Sequence, residues 1–466
     1  MSQIVTLGAG PAGMACSYTL ANAKVQSLLI EKNDEPGGLC RTINFHGYLF
    51  DIGGHRFLSR SDEINQLWQD IMGEDLLHVR RLSRIYYNKR YFNYPISFFN
   101  TFRNLGIKEC FHCIGSYFWC KNFRPGNDHT FEGWVVNRFG KRLYEIFFKT
   151  YTEKVWAVCC SDISANWAKQ RIQGLSLKVA IKNALVKSRK RSPKTLVEEF
   201  RYPRTGPGEF YNRLRGRMLD KGVTFSFGKI ATKIKYQQEK IVAVEVQDRN
   251  NSPEEIPVDY LFSSIPLPIL IKNLYPTPPQ SVLEAAQKLK FRSFVVVNVI
   301  LDKAVIFPDQ WIYVHYPEVL MGRIQNYKNW SSAMVPDSKK TSLGLEYFCT
   351  EGDDIWRMND VDLIHYAIQE LEKIGIVSRR HLIDSFVIRC PNVYPVYSLD
   401  YQENVTTIRN YLARFSNLQT FGRGGLFRYD NSDHALLTGI YAAKTFLGES
   451  GRDVWSVNTD REYLES

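Results

Sequence analysis

The chain has 466 residues, enough for two or three domains around a substantial core, and a globular composition except for 14% aromatic residues and a formal net charge of +12. That charge points to an anionic partner, such as a phosphorylated substrate, nucleic acid or an acidic membrane. No zinc-finger, basic-zipper or RNA-binding signature supports nucleic acid, and no run approaches the ~20 apolar residues of a membrane-spanning helix.

Residues 3–7 predict a short buried strand, Gly8-Ala-Gly-Pro-Ala-Gly13 a turn, residues 14–23 a helix and residues 27–30 a second strand that ends on Glu31. This is a βαβ dinucleotide fingerprint with strand, helix and acid in register. Gly8 permits the tight turn, Gly10 lets backbone approach a pyrophosphate and Gly13 allows close helix–strand packing. The helix start at Pro11 and Ala12 turns free N–H groups and a positive dipole end toward the diphosphate. Glu31 is placed to accept from a ribose, and the adjoining Lys32 joins the cofactor set. A strand beginning at residue 3 leaves no room for a signal or transit segment, so a soluble, intracellular and cytoplasmic protein is expected. The nine cysteines are scattered and lack zinc spacing, and no metal site is expected.

Pro36-Gly-Gly-Leu-Cys-Arg-Thr42 is a second glycine-rich turn, which places Gly38, Leu39 and Arg41 in the cofactor set. An apolar strand then runs into Gly53-Gly54-His55. FAD extends beyond the first βαβ unit and has a use for this element, whereas a simple NAD site does not. Gly53 and Gly54 would let backbone approach the flat isoalloxazine. His55 would sit at its edge, the alternative being a half-buried, satisfied histidine. Residues 91–96 (Tyr-Phe-Asn-Tyr-Pro-Ile) could wall a base. The aromatic-rich residues 110–123 and the basic run 187–194, read as a solvated loop, are compatible with contact at a membrane surface. Residues 294–301 predict a strand. Near the C-terminus, residues 418–428 read as a strand running into a glycine-rich turn with Arg423. Asp430-Asn-Ser-Asp-His434 then precedes a helix over 435–447, with Asp433 as its N-cap and Asn431 and His434 near the flavin.

These segments give an α/β fold: a Rossmann-like FAD-binding domain of the glutathione reductase type with inserted mixed-sheet and helical substrate domains. The expected divisions are 1–95, 201–265 and 401–466 for FAD binding, 96–200 for a helical insertion and 266–400 for a mixed-sheet substrate domain.

The chain resembles the UDP-galactopyranose mutases, particularly the eukaryotic type, within the flavin amine oxidase and protoporphyrinogen oxidase superfamily. The resemblance is carried by Gly53-Gly-His55, Tyr151-Thr-Glu-Lys-Val-Trp-Ala157, Gln170-Arg-Ile172, Tyr202-Pro-Arg-Thr-Gly-Pro-Gly208, Gly422-Arg423 and Arg428-Tyr-Asp-Asn-Ser-Asp-His434. It implies that Arg171 and Arg323 clamp a substrate diphosphate, a task suited to a guanidinium fork. It also implies that Tyr394 and Tyr429 touch that diphosphate and Trp156 the sugar, with Asn326 and Trp330 in the substrate set and His55 among the catalytic residues. Where the family pattern has Asn-Tyr-Ser, this chain has Asn329-Trp330-Ser331, an indole N–H in place of a hydroxyl, so the sugar and nucleotide stay open.

The reaction implied is interconversion of pyranose and furanose forms of a nucleotide-sugar, by the resemblance a UDP-linked one, through a reduced-flavin N5 adduct. NADPH or NADH would be the reductant, sharing the substrate cleft because no second nucleotide fingerprint is present. The alternative is a flavin oxidase or desaturase acting on an amine, porphyrinogen or isoprenoid. A flavin-bound, membrane-associated binding protein is a third reading. The oligomeric state stays open.

Overall fold

The structure, a computed structural model, describes residues 3–94, 98–123, 126–172, 199–449 and 453–458. The basic run 187–194 lies outside the described residues.

A five-stranded, all-parallel sheet runs in the order Leu418–Thr420, Tyr260–Ser263, Ile4–Leu7, Leu28–Glu31, Thr224–Phe227. Its strands come from three widely separated stretches of chain, so this layer is discontinuous in sequence. Val5, Thr6 and Leu7 are all buried, as expected for a parallel strand covered on both faces. Helix Pro11–Asn22 packs against helix Ser432–Phe446, the latter with Gly439 at the contact. A Cβ on Gly439 would lie 2.1 Å from the Ala12 carbonyl oxygen, so the first and last helices of this layer are locked at backbone contact.

The second layer is a seven-stranded sheet, Leu382–Pro395, Phe291–Leu301, Thr341–Cys349, Arg323–Asn326, Trp311–Val314, Ser83–Tyr87, Arg90–Asn93. Its pairings are antiparallel except for Trp311–Val314 beside Ser83–Tyr87. The predicted 294–301 strand is its second strand, extended to Phe291 and buried along nearly its whole length. Residues 83–93, expected with the first nucleotide-binding stretch, instead complete the far edge of this sheet. Burial of Tyr86 and Phe92 outweighs their sequence proximity to residues 1–51. A four-stranded sheet, Pro253–Pro257, Lys240–Gln247, Ile230–Gln237 and Leu274–Tyr275, flanks the parallel layer. Helices Phe98–Leu105, Ile107–Phe123, Phe131–Phe139, Thr150–Trp156 and Ala165–Ile172 form the helical part.

The hairpin Thr42–Phe45/Tyr48–Asp51 links the layers. Phe50 packs edge-on to Tyr327 of the seven-stranded side. The hairpin then delivers Gly53 and Gly54 directly opposite strands Arg323–Asn326 and Thr341–Cys349. The candidate site lies at that junction.

Candidate functional site

The first half of the site is backbone. Gly8 has φ +97°, and a Cβ on Gly13 would come within 1.8 Å of the Gly8 carbonyl oxygen. The third glycine is therefore required by packing alone. Gly10 differs: nothing lies within 4 Å of its Cβ position, and its φ of −72° suits any residue. It caps helix Pro11–Asn22 without a side-chain hydrogen bond, and the first turn carries no acid. Open space before an uncapped helix start is a place for a phosphate. Glu31 is buried; one carboxylate oxygen accepts the Ala9 N–H at 2.7 Å and the other accepts from Asn33. Lys32 is exposed beside it. The second glycine turn folds onto the first: Gly37 N–H donates to the Ala9 carbonyl at 2.7 Å, a Cβ on Gly38 would meet Gly10 Cα at 3.1 Å, and Arg41 Nε donates to the Gly38 carbonyl at 2.9 Å. Leu39 is half-buried in the same turn.

The second half is a set of side chains facing Gly53 and Gly54. Arg323 and Gln325 share one face of their strand, and Glu346 of the adjoining strand is fully buried between them. Arg323 donates through Nε (2.8 Å) and Nη2 (2.5 Å) to one Glu346 oxygen, and Gln325 Nε2 donates to the other at 2.9 Å. This fixes the Gln325 amide, because its NH₂ must face the carboxylate. Its Oε1 is left buried with no hydrogen-bond partner among the described residues. A Cβ on Gly53 would be 3.5 Å from Glu346 Oε1 and 3.8 Å from Arg323 Nη2, and one on Gly54 would be 2.8 Å from Gln325 Nε2.

His55 has both ring nitrogens engaged. Nε2 donates to the Ile52 carbonyl at 2.8 Å, and Nδ1 lies 3.7 Å from Cys40 Sγ. Burial and the nearby Arg423 push it down to about 4, so it is neutral near pH 7. Burial pushes the adjoining Asp51 up to about 7, with the Tyr202 and Thr42 hydroxyls opposing that rise.

Tyr394 and Tyr429 lie parallel, 5.5 Å apart at 7°. Arg423 is over both rings and donates to the carbonyls of Asp430 and Val393. Trp156 closes the group edge-on to Tyr394 at 6.2 Å and to Trp167 at 4.7 Å. Through Phe294, which lies against Gly53 and 6.1 Å from Tyr394, this aromatic group connects to the Arg323–Glu346 side of the site. Arg171 falls in helix Ala165–Ile172, but its side chain lies outside the described residues.

Three placements differ from the expectation. Asn326 is on the opposite strand face from Arg323, because residues three apart in a strand point opposite ways; its Nδ2 donates to the Phe307 carbonyl. Trp330 is buried against Trp311, Phe200 and Tyr202, and its indole N–H is spent on the Gln310 carbonyl at 3.0 Å. The N-cap of helix Ser432–Phe446 is Asn431, in a reciprocal box with His434. Asp433 sits inside the first turn and is buried.

Gln325, Glu346 and Lys154 had no counterpart in the sequence reading. Lys154 donates to the carbonyls of Val314, Tyr316 and Met321, tying helix Thr150–Trp156 to the turn that leads into Arg323. The Lys-Val-Trp-Ala segment was a signal for it; the two others depend on strand register.

The open helix start, the stacked glycine turns, the buried acid and the orphaned Gln325 acceptor fit a flavin dinucleotide. Residues 145–434, more than half of the chain, match the family model described as flavin containing amine oxidoreductase, and residues 6–71 match an NAD(P)-binding Rossmann-like domain. The chain belongs to the flavin containing amine oxidoreductase family.

Among solved structures, a reduced UDP-galactopyranose mutase superposes with TM-score 0.84 at 22% identity, covering 100% of both chains. An Exiguobacterium sp. 255-15 protein, provisionally described as a protoporphyrinogen oxidase, gives 0.72 at 18% identity over 96% of this chain and 98% of its own. Putrescine oxidase bound to putrescine gives 0.60 at 12% identity over 96% and 99%. These likenesses establish a shared fold. In sequence, a 1-hydroxycarotenoid 3,4-desaturase of Flavobacterium sp. (strain P99-3) is 36% identical over 73 residues, and the chain spans only 15% of that protein's length.

Proposed function

We propose that this chain is an FAD-dependent mutase that interconverts ring forms of a nucleotide-sugar, most simply a UDP-linked hexose. The observation that supports the reading is one linked cluster: Arg323 and Phe294 lie against Gly53, Tyr394 lies 6.1 Å from Phe294, and Tyr394 in turn stacks on Tyr429 and meets Trp156 edge-on. Arg323, Tyr394, Tyr429 and Trp156 are positions that the mutase resemblance names, and they come from separate segments of the chain.

The chemistry of that set favours an anionic, hydroxyl-rich substrate. Arg423, whose hydrogen bonds go to the Asp430 and Val393 carbonyls, disfavours a cationic amine, and tyrosine hydroxyls offer both donors and acceptors. FAD, when bound and reduced, supplies a nucleophilic ring nitrogen for an anomeric carbon. Gly8, Gly10, Glu31, Gly38 and Arg41 would hold its nucleotide and diphosphate, with Gly13 packing the turn beneath them, and Gly53 and Gly54 its ring. Arg323 would meet the substrate diphosphate, kept charged and oriented by Glu346; Arg171 would be its second clamp. Tyr394 and Tyr429 would line the diphosphate path, and Trp156 would exclude water beside the sugar. His55, neutral with both nitrogens engaged, holds the Ile52–Gly54 backbone in place. A nicotinamide reductant would use the same cleft.

The test is anaerobic incubation with UDP-galactopyranose and UDP-galactofuranose, with and without dithionite, resolved by chromatography. Interconversion only after reduction supports the reading. Aerobic turnover of an amine or porphyrinogen with release of peroxide would replace it with the oxidase reading.

A further inference from the structure

Every exposed Phe and Trp among the described residues lies on one helix, Ile107–Phe123: Phe111 (68% exposed), Phe118 (56%), Trp119 (57%) and Phe123 (68%), joined by Ile107 (61%). Scattered single apolar side chains need no explanation, but a cluster does. The inner side of the same helix is also apolar, with Cys113 and Cys120 buried against the neighbouring helices. A helix that is apolar on both sides is a helix covered on both sides.

We propose that the outer face of helix Ile107–Phe123 docks on an anionic lipid bilayer. At 100° per residue, Ile107, Phe111 and Phe118 fall within an arc of about 40°. Trp119 and Phe123 flank them one turn apart, with ring centroids 4.9 Å from each other. Lys108 and Lys121 are exposed on this helix, and Arg103 is exposed on the preceding one. Glu109 is the one acid between residues 98 and 123; it is half-buried and pairs with Arg142, which also pairs with Glu145. The fully exposed ionic side chains described on these two helices, Arg103, Lys108 and Lys121, are therefore all basic. Aromatic rings with interleaved lysines match the boundary between headgroups and acyl chains, where the rings bury apolar area and the lysines meet anionic headgroups. At 17 residues and about 25 Å with lysines along it, the helix suits lying in that plane. No helix among the described residues is long and apolar enough to cross a membrane.

The competing occupant is a second copy of the chain, which would bring like charges together across a two-fold contact. Co-sedimentation of the full-length, flavin-loaded protein with phosphatidylcholine vesicles, alone or mixed equally with phosphatidylglycerol, distinguishes them when run beside light scattering. We expect binding to the mixed vesicles at least ~10-fold tighter than to neutral ones and weakening with salt. Phe111→Ser/Phe118→Ser and Lys108→Glu/Lys121→Glu should each reduce it ~10-fold or more while flavin absorbance is unchanged. Failure of the wild type to bind mixed vesicles would overturn the proposal. So would equal binding to both vesicle types, or a solution dimer that Phe111→Ser/Phe118→Ser dissociates.

Discussion

Arg323 is best understood together with Glu346. The carboxylate has no exposed surface, so removing only the arginine strands a buried charge, which typically costs about 3–5 kcal/mol. Arg323→Ala should therefore lower stability as well as UDP affinity, and the two effects separate in Arg323→Ala/Glu346→Gln. The double variant should recover most of the melting temperature but not UDP binding, as read by denaturation and calorimetry side by side. Arg323→Lys should bind UDP with intermediate strength, since it keeps charge but loses the fork.

Asp51 and His55 give opposite pH dependences. Asp51, raised to about 7 by burial, contributes stability that is full below about 4 and lost as pH rises through 7. His55, lowered to about 4 by burial and Arg423, contributes stability present above 6.5 and lost as pH falls toward 4. Melting curves between pH 4 and 8 should show Asp51→Asn flattening the decline toward neutral pH and His55→Gln flattening the acid-side decline. Unchanged pH profiles in both variants would contradict these environments.

At the level of elements, the glycine turn separates two duties that the motif alone merges. Gly13→Ala forces a Cβ onto the Gly8 carbonyl and should destabilise the fold even without flavin. Gly10→Val meets nothing in the protein, so it should leave the melting temperature of flavin-free protein unchanged while abolishing flavin uptake. Reconstitution monitored by flavin absorbance, beside apoprotein melting, checks both. Trp330→Tyr, which restores the residue the family pattern has, should cost stability through lost packing on Trp311 and leave KM unchanged, because Trp330 is a core residue.

The parallel-layer strands near residues 4–7, 28–31 and 418–420, the glycine turns and the C-terminal helix were legible because each is a local pattern of period, turn and cap, whereas Thr224–Phe227 and Tyr260–Ser263 carry no such mark. Asn326 was misplaced: the resemblance set it beside Arg323 in the substrate set, and nothing local marked 323–326 as a strand, in which a spacing of three points it to the other face. Glu346 and Gln325 were not legible. Residues 341–349 carry no motif, and the Arg323–Glu346 pairing arises from register across two strands. Residues 83–93 show the same limit at larger scale, since nothing local tells an edge hairpin which sheet it will complete.

Over the whole molecule, three chain stretches build the parallel layer, and the seven-stranded sheet sets its polar strands against Gly53 and Gly54. That junction is shared in outline by proteins of different chemistries, so fold alone does not choose between mutase and oxidase. The arginine and tyrosine lining favours the mutase. The most direct test is anaerobic assay of the flavin-loaded protein with UDP-galactofuranose, comparing dithionite-reduced with oxidised enzyme. The account predicts conversion to UDP-galactopyranose by the reduced enzyme alone, with no oxidant consumed and no peroxide formed. No conversion by fully reduced, flavin-replete protein, together with aerobic peroxide release from an amine or porphyrinogen, would contradict it.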